Sequence, residues 1–263
     1  MSNVYSNEAL VDPAIMGDEA TMHELFDQLR ENDPLALVEH PEYRPFWSLT
    51  RYEDIKFVGS NNDRFLSAPR TTLLPKAAED FFLENFGTPN GLETLIHMDR
   101  PKHLKLRKVS KDWFLPRSID RLDAEIQELC TEYVDKMQEM GDECDFVKDI
   151  ALLYPLRIIM SILGLPRESE GTMLRLTQEI FGGQDPDLAR DPNSETMNAD
   201  TLIEFGAYFT EVIEDRKKNP KDDLATVLAN AEVDGKPMEP LDQMSYFIIA
   251  AAAGHDTTSG TIG

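Results

Sequence analysis

The sequence predicts a mainly α-helical protein with a small β-sheet near its N-terminus. Three observations carry this. Apolar residues recur at helical spacing through long stretches, at 117–140, 149–163, 195–218 and 241–263. Only two short segments near the start, Leu-Ala-Leu-Val at 35–38 and Phe-Trp-Ser-Leu at 46–49, read as strands. No internal repeat, low-complexity tract or interdomain linker divides the 263 residues, which therefore read as a single domain.

Taken in order, residues 1–18 read as a loose leader containing Pro13 and Gly17. A helix over 19–31 carries Leu25, Phe26 and Leu29 on one face and stops at Asp33-Pro34. The strands at 35–38 and 46–49 are expected to pair. Residues 52–58 form a short helix closed by Gly59, and 64–67 return to the sheet. Residues 68–97 are punctuated by Pro69, Pro75, Gly87, Pro89 and Gly91, so they read as a long irregular loop, either functional or a surface excursion. A helix spans about 102–114. The next, over 117–140, turns Leu122, Ile126, Leu129 and Val134 to a core. Residues 149–163 are apolar enough to be buried and stop at Gly164 and Pro166. An amphipathic helix at 172–180 ends at Gly182-Gly183, and a polar loop leads to the helix at 195–218. One more helix covers 222–230, and Asp234-Gly235 makes a turn. Pro240 then opens a long buried helix to the last residues, since its missing N–H costs nothing in a first turn.

Composition narrows the function. An apolar fraction of 41% with 8% aromatic residues suits a globular protein able to bury a core. No apolar run could span a bilayer and no signal peptide is evident, which points to the cytoplasm. Two separated cysteines provide neither a disulfide framework nor metal spacing. A net charge of −23 disfavours nucleic acid and anionic membranes as partners.

The chemistry gathers in two places. Residues 250–263 read AAAAGHDTTSGTIG, so a polar cluster, Gly254 to Thr258, interrupts an apolar helix. Burying it is costly unless its members find partners. A hydroxyl bonding back one turn is expected to open the helix locally, with Gly254 leaving room for something bulky. A fraying helix end is the plain alternative. The second place is basic: Arg100, Lys102, Lys105, Arg107, Lys108 and Lys111 crowd one stretch of an acidic chain. His103 and Arg107, four apart, share a helix face and could hold carboxylates. A solvated charged face is the alternative there.

Both places carry a resemblance. Ala253-Gly254-His255-Asp256-Thr257-Thr258 resembles the Ala/Gly-Gly-x-Asp/Glu-Thr-Thr signature of the cytochromes P450, the haem-thiolate monooxygenases. Residues 99–107, from Asp99-Arg100-Pro101 through His103 to Arg107, resemble that family's Asp-Pro-Pro-x-His-x-x-x-Arg segment, with Arg100 in place of the first proline. Trp113-Phe114-Leu115-Pro116 parallels the Phe-x-Pro that ends the same element. The stretches 141–146, 154–156, 176–178 and 220–223 resemble the bacterial terpineol-oxidising branch.

The resemblance implies a cytochrome P450 fold cut within its long central helix, with haem b as cofactor and O2 as co-substrate. It assigns Asp256 and Thr257 to proton delivery and oxygen activation. His103 and Arg107 would hold the haem propionates, and Ala253, Gly254 and Thr257 would lie along the haem. Ile249 and Ala253, with Thr177 and Phe181, would contact a small hydrophobic substrate such as a monoterpene or alkyl aromatic. For Thr177, Phe181 and Phe209, ordinary core packing is the competing reading. A ferredoxin would dock on Lys102, Lys105, Lys108 and Lys111. The family's cysteine loop and Glu-x-x-Arg segment do not occur in residues 1–263, and neither Cys130 nor Cys144 sits in a matching context. The chain is therefore expected to be the N-terminal part of such an enzyme and inactive alone. Any haem it bound would need His103, His255 or water as ligand. The alternative is a non-catalytic helical module that binds a partner or ligand.

Overall fold

A computed structural model describes residues 7–183, 185–191, 194 and 199–263, and divides into two compact units, Met1–Gly91 and Leu92–Gly263. In the first unit, a 3-10 turn at Asn7–Val11 leads to α1 (Pro13–Gly17) and α2 (Glu19–Asn32). Asp12 and Asp18 cap these helices by accepting from the N–H groups of Ala14 and Thr21, each at 2.9 Å. Residues 7–17 are thus ordered helix and turn rather than a loose leader. Helix α2 buries Leu25 and Leu29 against Ala9 and Ala36.

Strands β1 (Leu35–Val38) and β2 (Phe46–Leu49) pair antiparallel as expected, with Leu37 opposite Trp47. Helix α3 (Tyr52–Ser60) buries none of its residues. Residues 64–67 do not return to the sheet. Within the expected irregular stretch lies α4 (Lys76–Phe86), which buries Ala78 and Phe82. Pro75 and Gly87 (φ +75°) bound this helix. They punctuate a helix instead of breaking up a loop. Arg44 and Arg70 bind the buried Glu79 carboxylate at 2.6 and 2.9 Å, pinning the chain before α4 to that helix.

Among its described residues, the only strands of the second unit form one small hairpin, and its other regular elements are helices. The expected helix at 102–114 is two pieces, α5 (Lys102–Arg107) and a 3-10 turn at Lys111–Phe114. The expected helix at 117–140 is α6 (Pro116–Ile119), a 3-10 turn and α7 (Asp123–Glu139). In α7, Leu129 and Tyr133 are buried and Ile126 is half-buried, as is Leu122 just before the helix, so the inward face is the expected one except that Tyr133 takes the place of Val134, which is 46% exposed. Pro155 has no N–H to offer the Ala151 carbonyl. Just before it the backbone forms a π turn, Val147–Ala151, with Leu152 N donating to Val147 O at 2.9 Å, and α8 (Leu153–Ile162) follows.

Helices α9 (Glu170–Phe181), α10 (Ala199–Lys218) and α11 (Leu224–Ala229) complete the layer around α12 (Pro240–Ile262). The start expected for α10, residues 195–198, lies outside the described residues. Phe205 and Phe209 stack at 5.6 Å, and Phe209 meets Phe247 of α12 at 5.1 Å, so Phe209 belongs to the core. Asp234-Gly235 turns as expected, and short strands β3 (Glu232–Val233) and β4 (Lys236–Pro237) flank it. No described helix is long and apolar enough to cross a membrane.

Candidate active site

Helix α12 runs unbroken through the polar cluster. Thr257 Oγ1 does donate back to the Ala253 carbonyl, at 2.7 Å, and Ser259 and Thr261 do the same at 2.9 and 2.8 Å. Each carbonyl has a second lone pair for the hydroxyl, so the expected local opening does not occur. His255 is buried while Asp256, Thr257 and Thr258 are exposed.

The apolar side of the same helix borders a cavity of about 210 Å³. Ile249, Ala250, Ala253 and Gly254 form one wall, and Ile159, Leu163, Leu224 and Phe114 close it. Ile249 and Ala253 therefore lie together on one cavity. Gly254 also makes room for a neighbouring helix, because a Cβ there would collide with Ile159 Cδ1 and lie 3.1 Å from Cγ1. The space beside it belongs in part to α8, not wholly to a ligand. Asp256 and Thr257 stand outside this lining.

Two expected pocket residues are elsewhere. Thr177 is fully buried and its hydroxyl lies 2.9 Å from Met173 O, 3.0 Å from Leu174 O and 2.8 Å from His255 Nδ1. Phe181 is 50% exposed. His255 also places Nε2 2.8 Å from the Leu152 carbonyl. With both ring nitrogens engaged, it is not available as a haem ligand. Burial holds its pKa below the ordinary value, against weaker opposing effects of the Leu152 bond and Asp256.

Helix α5 presents His103 half-buried and Arg107 exposed, and neither has an ion-pair partner among the described residues. Ser110, just beyond α5, bonds the Tyr246 hydroxyl of α12 at 2.6 Å. Burial raises the Tyr246 pKa; the Ser110 bond and the charge of Arg107 oppose that rise, so the guanidinium lies within electrostatic reach of α12. Two of the four expected docking lysines are already neutralised. Lys102 pairs with Glu93 and, at 2.8 Å, with Asp242, and Lys105 pairs with Asp234 at 2.6 Å. Lys108 and Lys111 remain exposed. Phe114 lay in the Trp113–Pro116 stretch, though nothing there marked it as a cavity wall; the lining residues of α8 and α11 carried no motif, and only their apolar runs could have signalled them.

No protein-family model matches the chain. Over 260 residues it is 33% identical to cytochrome P450-terp of a Pseudomonas species, an alignment covering 95% of this chain and 61% of that protein. The crystal structure of CYP108D1 from Novosphingobium aromaticivorans superposes with a TM-score of 0.80 at 40% identity, covering 96% of this chain and 60% of that one. The chain belongs to the cytochrome P450 family. This P450 sequence is also 32% identical over 257 residues to a steroid C26-monooxygenase of Rhodococcus jostii, covering 95% of this chain and 52% of the relative. It thus spans about three fifths or less of the relatives it matches.

The cavity's apolar walls suit the apolar face of a haem, while His103 and Arg107 of α5 do not line it. The cavity's size suits only part of a haem. At about 210 Å³ it is below the ~300–1,000 Å³ of pockets that enclose a whole drug-sized ligand.

Proposed function

We propose that residues 1–263 form the oxygen-side part of a single P450 domain whose full-length protein hydroxylates a small hydrophobic substrate, a monoterpene or alkyl aromatic, in the cytoplasm. The observation that carries this is the apolar wall of Ile249, Ala253 and Gly254 on a helix that also bears Asp256 and Thr257. Bound haem would supply the activation of O2 with electrons from a ferredoxin. The chain's own residues then have separable roles. Ile249, Ala253 and Phe114 would exclude water from the reacting face. His103 and Arg107 would hold the propionates by charge-assisted hydrogen bonds. Thr257 Oγ1 would hold a water beside the bound group, giving up its bond to Ala253 O. Asp256, exposed on the preceding residue, would pass solvent protons to that water. An acidic ferredoxin would meet Lys108 and Lys111, the lysines of the basic stretch that no described acidic side chain neutralises.

A haem thiolate formed by residues 1–263 alone would need Cys130 or Cys144. Cys130 lies 3.0 Å from the Tyr154 hydroxyl, Cys144 is exposed, and neither lines the cavity. The test is the reduced carbon monoxide spectrum of two proteins. The full-length product should show the thiolate-type band and shift its spectrum when a monoterpene alcohol is added. Residues 1–263 reconstituted with haem should lack that band. A full-length product without it would overturn the proposal, and a band from residues 1–263 alone would overturn their assigned dependence on another segment.

A further inference from the structure

Helix α12 is tied to its neighbours by polar side chains at two levels. Near its start, Gln243 donates to Leu228 O at 2.7 Å, Ser245 accepts from Glu93 N at 2.8 Å, and Tyr246 bonds Ser110. Beyond Tyr246, the side-chain hydrogen bonds of Thr257, Ser259 and Thr261 stay within the helix itself. His255 alone among the described residues reaches out of this half by a side-chain hydrogen bond, and it does so twice, to Thr177 of α9 and to Leu152 beside the π turn. It follows directly after Gly254, where Ile159 of α8 leaves no room for a Cβ.

We propose that His255 is a positioning residue: it fixes the rotation of the second half of α12, so that Ala253 and Gly254 face the cavity, and makes the order of α9 depend on it. This rests on the reading of that cavity as the reacting face. The bonding is specific. The Leu152 carbonyl can only accept, so Nε2 carries the proton, and Nδ1 of the neutral ring can only accept; the Thr177 hydroxyl then gives its single proton to Nδ1 rather than to the Met173 or Leu174 carbonyl. A leucine of similar bulk would fill the space and satisfy neither partner. Glutamine retains a donor for Leu152 O and loses the bond to Thr177.

The experiment is amide hydrogen exchange on residues 1–263 without haem, comparing the natural chain with His255→Leu, His255→Gln and Thr177→Val. His255→Leu should speed exchange about tenfold in both α9 and residues 251–262. Thr177→Val should do so in α9 alone, and His255→Gln should restore protection to 251–262 but not to α9. Long-range proton–nitrogen spectra of the natural chain should show a protonated Nε2 and an accepting Nδ1. Unchanged exchange in His255→Leu and Thr177→Val would overturn the proposal. So would exchange that rises evenly through α7, α10 and α11, which would mark a general loss of packing. If His255→Leu fails to fold, Thr177→Val still decides, because it is isosteric and removes only the hydroxyl. No haem is present, so failure of this link and failure of the proposed function are read separately.

Discussion

Burying an imidazole against two fixed partners gives it a pH dependence whose sign is determined. His255 meets Thr177 from α9, the Leu152 carbonyl beside the π turn and the Asp256 carboxylate on its own helix; of these, Asp256 alone is charged. Burial is the largest influence and lowers its pKa from 6.5. The unfolded chain then binds the proton more readily than the folded one. His255 therefore contributes stability that is fully present above pH 6.5 and lost as pH falls toward its lowered folded value. Urea unfolding at a series of pH values between about 7.5 and 5.5 should show this loss, and His255→Gln should flatten part of it. An equal slope in both proteins would contradict the assignment. None of this was legible in the sequence, where His255 read as a variable position in a motif and a spare ligand. Its partners are 78 and 103 residues away. Ile249 and Ala253 were legible because a one-turn spacing places them on one face whatever packs there. Thr177 and Phe181 were not, because the partner of a helix face is a tertiary fact.

Between elements, the second unit is fastened by buried ion pairs that local pattern does not reveal. Glu179 of α9 accepts from Thr201 of α10 at 2.7 Å and pairs with Arg175 and with Arg190 of the intervening loop. Burial pushes the Glu179 pKa up, and those three partners outweigh it, so the carboxyl titrates below its usual range. Arg216 of α10 donates to Asp223 Oδ2 at 2.7 Å and to the Gly164 carbonyl at 2.6 Å, while Asp223 caps α11 through Thr226 N at 2.7 Å. Gly164 read from the sequence only as a helix stop. Its φ of +65° meets that expectation, yet a Cβ there would also collide with Asp223 Oδ2 and lie 2.7 Å from Cγ. Gly164→Ala must therefore displace the carboxylate from a buried guanidinium and strain the backbone. The left-handed conformation costs roughly 1–2 kcal/mol and breaking a buried pair about 3–5. Partial relaxation leaves an expected loss of about 3 kcal/mol in urea unfolding. A loss under about 1 kcal/mol would mean that the α8–α10–α11 junction is not held in this way.

Charge acts on the whole molecule. The family was legible because two motifs in the right order need no tertiary information. The breaks at Arg107 and Ile119 and the helix hidden at 76–86 were not, because Pro and Gly mark helix ends as readily as loops. The net charge of −23 has a consequence independent of those details. Like charges spread over the surface repel in the folded state, and salt screens them over about 10 Å at 0.1 M. Salt also weakens exposed pairs such as Lys105–Asp234, each worth only about 0–1 kcal/mol. Arg216–Asp223, with side chains 6% and 5% exposed, is screened little. Repulsion summed over the molecule should outweigh the few exposed attractions. Raising sodium chloride from about 10 to 150 mM should therefore raise the melting temperature of residues 1–263 by a few degrees. A fall would show that the exposed ion pairs, including those of Lys102 and Lys105, hold the fold more firmly than their exposure implies.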